Sequence, residues 1–168
     1  MSDQTQASSG VRVLLARDGE ILASVGGVSN RFMIEGKDTG GRFALVQHLI
    51  RPNSLAAPMH RHHEEDEYTY VLEGRVGAVL GGEEVFGGPG DLIFKPRNQW
   101  HTFWNPGDEP AAVLEIISPA GIEELFRSFG ALTEPPSPES LADMAAGYHC
   151  DVDFEATFPI VKQHGLAF

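Results

Sequence analysis

Three histidines and one glutamate carry the chemistry that this sequence offers. His60 and His62 stand two apart in the run P-M-H-R-H-H-E-E-D-E. On an extended segment the two-residue period of a strand turns both imidazoles to one face, which is the outline of a chelate. Glu67 follows a charged run, residues 63–66, that suits a tight turn before the apolar alternation of residues 68–72 begins. His101 comes from a second stretch, G-D-L-I-F-K-P-R-N-Q-W-H-T-F-W-N, that starts at Gly90 and ends at Asn105. Three neutral nitrogens and one carboxylate suit a divalent first-row metal, with coordination positions left for water or substrate. Unpaired imidazoles gathered in a core would be costly to bury, whereas one ion satisfies all their lone pairs. His63 has the wrong parity to join the set, and Glu64, Glu65 and Asp66 read as a solvated acidic turn. Mixed imidazole and carboxylate ligation accepts iron, manganese, nickel, cobalt, copper or zinc.

The two stretches resemble the paired signatures of the cupin superfamily, G(x)5HxH(x)3-4E(x)6G and G(x)5PxG(x)2H(x)3N. His60, His62, Glu67 and Gly74 fit the first, and Gly90, Pro96, His101 and Asn105 fit the second. Two glycines of the pattern are replaced, by Ser54 and by Asn98. Both are turn positions, and Asn tolerates the left-handed region better than other non-Gly residues. The wider run over residues 39–126 is similar to small single-domain cupins grouped with quercetin dioxygenases.

That resemblance implies an all-β fold, an antiparallel double-stranded β-helix or jelly-roll barrel. It further implies a metal-dependent dioxygenase acting on a small phenolic or enolic substrate, with dioxygen as co-substrate and Glu67 as both ligand and proton acceptor. Phe94, Phe103 and Phe126 would supply the apolar lining a planar substrate needs. The alternative is a non-oxidative cupin, either a metal-containing small-molecule binder or an isomerase, since fold does not fix function.

The elements that must position these side chains read as short strands. Residues 11–15 and 21–24 flank a turn at Asp18-Gly19, and residues 41–50 are apolar on both faces, as a central strand would be. Gln47 and His48 are the polar residues of that strand. One of them faces the barrel interior and periodicity does not say which; Gln47 is the pocket candidate, and His48 reads as a hydrogen-bonded wall residue. Residues 75–80 and 83–86 form a hairpin across Gly81-Gly82. In residues 91–96 the charged Asp91 and Lys95 share one parity, so Leu92 and Phe94 are expected to point inward. The same rule sets Phe103 beside His101 and turns Thr102 and Trp104 away, and residues 111–117 make a last strand.

After Pro119 the period changes. Ile122, Leu125, Phe126, Phe129 and Leu132 recur at helical spacing, and Ser137-Pro138-Glu139 reads as the cap and first turn of another helix. The rest of the chain shows no clear period. The expected organisation is a polar tail over residues 1–10, a barrel over 11–118, and a helical extension over 119–168 packed on the barrel.

Composition agrees. The chain of 168 residues is 42% hydrophobic, enough for one domain with a proper core. Its formal charge of -12 repels phosphate backbones, and no basic cluster breaks the pattern, so nucleic acid is not an expected partner. One cysteine, Cys150, excludes an intrachain disulfide. The first ten residues lack the basic and apolar regions of a secretory signal, and nothing approaches a membrane helix, so a cytoplasmic protein is expected. Edge strands and an apolar C-terminal segment suggest a homodimer.

Overall fold

Alternating apolar residues build two antiparallel sheets that face each other. The computed structural model describes residues 13–23 and 27–168; the polar tail over residues 1–10 and the outer residues of the two N-terminal strand expectations, 11–12 and Ser24, lie outside them. One sheet contains β1 (Glu20–Ala23), β2 (Val28–Ile34), β3 (Ala44–Ile50), β5 (Asp66–Glu73), β8 (Leu92–Lys95) and β10 (Ala111–Ser118), in the order β1-β2-β3-β10-β5-β8. The other contains β4 (Ser54–His62), β6 (Val76–Leu80), β7 (Glu83–Gly87), β9 (His101–Asn105) and β11 (Cys150–Asp153), in the order β11-β4-β9-β6-β7. This is a jelly-roll barrel, as the strand-and-turn pattern led us to expect.

Strand β3 shows how parity selects the interior. Ala44, Val46, His48 and Ile50 are buried, while Leu45, Gln47 and Leu49 are only partly covered. Val28, Ile50, Val71, Val76, Ile93, Phe103 and Val113 pack between the sheets as one apolar cluster. At ~1.5–3 kcal/mol for each large side chain removed from water, this cluster outweighs any single polar contact in the barrel.

The turns follow the chemistry of their residues. Gly74 holds φ +77, and a Cβ there would lie 2.8 Å from the Cβ of Ala111, so only glycine fits. Asn98, standing where the family pattern has glycine, takes φ 64. Its backbone N–H donates to the carbonyl of His62 at 2.6 Å, clamping the second signature onto the first. Near the N-terminus residues 13–15 form no strand; instead the carbonyl of Leu15 accepts from Asp18 N and from Arg31 Nη2.

Helices close one side. Besides the short α1 (Gly36–Thr39) they are α2 (Glu123–Gly130), α3 (Pro138–Ala146) and α4 (Phe154–His164). Ser137 caps α3 by accepting from Ser140 N. Ile122, Leu125, Ala145 and Cys150 pack with Phe32, Val46 and Ile117 in a second apolar cluster. The residues after α3 differ from expectation, because β11 adds a strand to the barrel rather than only packing outside it. Cys150 pairs with His62 and Val152 with His60. Helix α4 then covers the outer face of β9, where Trp104 is buried with Leu55 and Leu166. The Thr157 hydroxyl on α4 accepts the backbone N–H of Met59 at 2.9 Å, tying this helix to the strand that carries the histidine pair.

Candidate metal centre

Each of the four candidate metal ligands comes from a strand that leaves it no choice of face. His60 and His62 lie on β4, Glu67 on β5 and His101 on β9, and β4 pairs with β9 so that His60 faces His101. Their donor atoms lie within 4.8 Å of one another, and all four side chains are buried. The ring centroids of His60 and His101 are 4.1 Å apart, those of His60 and His62 4.9 Å.

The outer nitrogens fix the tautomers. His60 Nδ1 donates to the carbonyl of Pro58 at 2.7 Å, and His101 Nδ1 to that of Gln99 at 2.9 Å. Nε2 of each ring is left with its lone pair directed inward, the arrangement in which imidazoles bind metals. Glu67 Oε2 lies 3.4 Å from His62 Nε2 and 3.3 Å from His101 Nε2. None of these three buried atoms makes a hydrogen bond. Orphaned polar atoms converging on one point are what burial penalises and what a divalent ion relieves. The residues therefore fit a metal: the chain has a cluster of three histidines and one glutamate able to hold one.

A buried cation stands behind the carboxylate. Lys95, 1% exposed, places Nζ 2.9 Å from Glu67 Oε2 and 3.1 Å from Glu115 Oε1, within ion-pair distance of both though poorly aligned for hydrogen bonds. Glu115 also accepts from the Thr69 hydroxyl at 2.8 Å. His48 Nε2 is 4.0 Å from Glu115, and its Nδ1 pairs with Asn30 Oδ1 at 2.7 Å. Burial alone would raise Glu67, but Lys95 and His62 hold it well below the usual carboxylate range. Burial dominates at Glu115 and pushes it up to about 7 despite Lys95. Burial depresses His101 and His48, the latter to about 4. At His62 the Glu67 carboxylate overrides burial and raises the ring to about 10 while no metal is bound.

Several sequence expectations change here. Leu92 and Phe94 do not point inward: Ile93 and Lys95 do, because the Lys95 ammonium finds two carboxylates inside and its charge need not face water. Phe94 is 46% exposed and stacks on Tyr68, so it does not line the site. Gln47 lies on the outer face of β3, accepting from Arg31 Nη1 at 3.0 Å, and His48 takes the inward position. Glu65 is not part of a solvated turn; it is buried, with its carboxylate 3.8 Å from His62 Nδ1. Phe103 and Phe126 do line the inner cavity, which has a volume of about 80 Å3 and also meets His48, His60, Glu67 and Phe129. Phe103 lies under Lys95 Nζ, 4.5 Å from its ring centroid. The residues missed were Lys95, Glu115 and Thr69. The available signal was Glu115 itself, one carboxylate inside the apolar run A-A-V-L-E-I-I.

Fold and site together are those seen in cupins. Residues 47–117 of the chain match the Cupin_2 (cupin domain) family. Among individual proteins it is similar to the tetracenomycin polyketide synthase protein TcmJ of Streptomyces glaucescens, 30% identical over 93 residues, which is 55% of this chain and 62% of that protein. It is similar to quercetin 2,3-dioxygenase of Bacillus subtilis (strain 168), 27% identical over 133 residues, 77% of this chain and 39% of that protein. The chain thus spans less than two thirds of the length of either relative. Among solved structures it resembles the polyketide cyclase RemF of Streptomyces resistomycificus, with a TM-score of 0.57 and 27% identity over 64% of this chain and 79% of that one. Among the described residues no helix is long and apolar enough to cross a membrane.

Proposed function

We propose that this cupin is a metal-dependent dioxygenase that cleaves a carbon–carbon bond of a small phenolic or enolic substrate. The observation that carries the reading is the convergence of His60, His62, Glu67 and His101 at the inner end of a cavity walled by Phe103, Phe126 and Phe129. A divalent first-row metal held by those four residues would supply Lewis acidity and, if redox-active, a route for electrons to dioxygen. The protein's part is to bind, orient and deprotonate. Lys95 keeps Glu67 ionised, so the carboxylate meets an incoming enol or phenol hydroxyl as a proton acceptor. The three phenylalanine rings give the reacting end of the substrate an apolar surround that excludes water. His48, neutral at working pH and anchored by Asn30, presents a fixed polar group to the same cavity.

A second reading is favoured by the likeness to TcmJ and RemF. On it the same residues bind an enol and move its proton without consuming oxygen, in a cyclisation or isomerisation. Oxygen-electrode assays over flavonols and open-chain enols, run beside solvent-deuterium exchange, separate the two. Oxygen uptake with ring-cleaved product supports the dioxygenase; deuterium entering the substrate without uptake overturns it in favour of the second reading. We also propose a homodimer, through the exposed Leu92 and Phe94 on edge strand β8. Light scattering on wild type and Phe94→Lys tests that.

A further inference from the structure

The inner cavity, at about 80 Å3, is too small for a whole aromatic substrate, since sites for drug-sized molecules run to ~300–1,000 Å3. A larger cavity of about 730 Å3 adjoins it, and Leu141 and Phe168 line both. Its walls are strongly apolar, with Phe154 and Phe158 from α4 and Pro135 and Pro136 from the segment before α3. Its charged wall residue is Arg51, which follows β3 directly. Gly27, at φ +85, forms the wall beside it. Among the described residues no carboxylate pairs with Arg51, in a chain with 24 acidic side chains against 12 basic ones.

Building on the enol or phenol reading of the inner site, we propose that the outer cavity is the second half of the substrate site. It takes the remaining aromatic part of an elongated substrate and a carboxylate at its far end, with Arg51 as the residue that selects for that carboxylate. The geometry gives each part of such a molecule a matching surface. The reacting hydroxyl sits at His60 and Glu67, the rings pass between Leu141 and Phe168, and the guanidinium offers paired donors to a planar anion. Arg51 is the charged residue lining this cavity, so within it selection for an anion falls on that side chain.

The test is binding to the zinc-loaded full-length chain, read by fluorescence of 3-hydroxyflavone with and without a carboxylate on its pendant ring. Wild type is expected to hold the carboxylated probe about tenfold or more tightly than the plain one. Arg51→Gln removes that preference and leaves affinity for the plain probe within about twofold, while Phe158→Asp weakens both. Equal affinity of wild type for the two probes, a preference that survives Arg51→Gln, or no binding of either probe overturns the proposal. Because zinc is redox-inert, the outcome is independent of turnover. An Arg51-dependent preference without oxygen uptake by the redox-metal enzyme removes the dioxygenase and leaves the outer subsite standing, and oxygen uptake without the preference does the reverse.

Discussion

Lys95 Nζ and Glu67 Oε2 lie 2.9 Å apart with both side chains out of solvent, so the carboxylate of the chelate is shared between a fixed ammonium and the space a metal would fill. Breaking a buried ion pair by removing one partner typically costs ~3–5 kcal/mol. Lys95→Met should therefore destabilise the metal-free protein by about that much, since Glu67 and Glu115 both lose their cation. Zinc replaces the missing charge, so the melting-temperature gain on adding zinc should be larger in the variant than in wild type. Thermal melts with and without zinc check this; an equal gain in both proteins would show that Lys95 and the ion do not share Glu67.

Metal loading should depend on the imidazoles more than on the carboxylate. His101→Ala removes one of three neutral nitrogens and should lower metal content from about one per chain to a small fraction of that. Glu67→Gln keeps the nitrogens and an oxygen but cannot accept a proton. It should retain most of the metal while turnover falls ~10²–10⁴-fold. Elemental analysis beside steady-state kinetics distinguishes the two, and parallel loss of metal and rate in Glu67→Gln would leave the carboxylate as a ligand only.

The pH response of the metal-free protein should reverse when metal is added. His62 goes from its ordinary 6.5 up to about 10 in the folded chain, with Glu67 overcoming burial. A group raised on folding contributes stability that is complete below 6.5 and fades as pH climbs through about 10. Glu115, raised from 4.5 to about 7, pulls the same way over that lower range, which ends where the His62 window opens. Urea midpoints of metal-free protein should thus fall as pH rises from 6.5 to about 10. Metal requires the neutral ring, so binding near neutral pH should release about one proton, and the loaded protein should instead gain stability with rising pH. Calorimetry in buffers of different ionisation enthalpy measures the proton; a count of zero would mean that His62 is already neutral.

Asn105 illustrates a signature residue whose work is architectural. Its amide nitrogen donates to the carbonyls of Ile50, Arg51 and Glu109, and its oxygen accepts from Gly107 N at 2.8 Å. Asn105→Ala leaves these buried backbone groups unpaired and should cost ~2–3 kcal/mol of stability without changing metal stoichiometry. Chemical denaturation and elemental analysis on one preparation check both halves.

Most of the barrel and the convergence of His60, His62, Glu67 and His101 were legible in the sequence, because both rest on local rules. Histidine spacing, strand parity and the turn preference of Asn98 need no knowledge of distant partners. What it hid depends on pairing across the sheet. The charge of Lys95 argued for solvent until Glu67 and Glu115 were seen beside it on β5 and β10, and that error carried Leu92 and Phe94 to the wrong face. The choice between Gln47 and His48 was of the same kind, settled by Arg31 outside and Asn30 inside. Strand β11 is only four residues long, and in α4 Pro159 masks the spacing of Phe154, Thr157, Phe158 and Val161.

Strand β11 has a consequence for biosynthesis. As the polypeptide leaves the ribosome, the segment bearing His60 and His62 keeps one open flank until residues 150–153 emerge to pair with it. If this cluster holds an ion, its loading should accordingly be a late event in maturation, and a nascent chain arrested before Cys150 should capture metal poorly although all four candidate ligands have already been made.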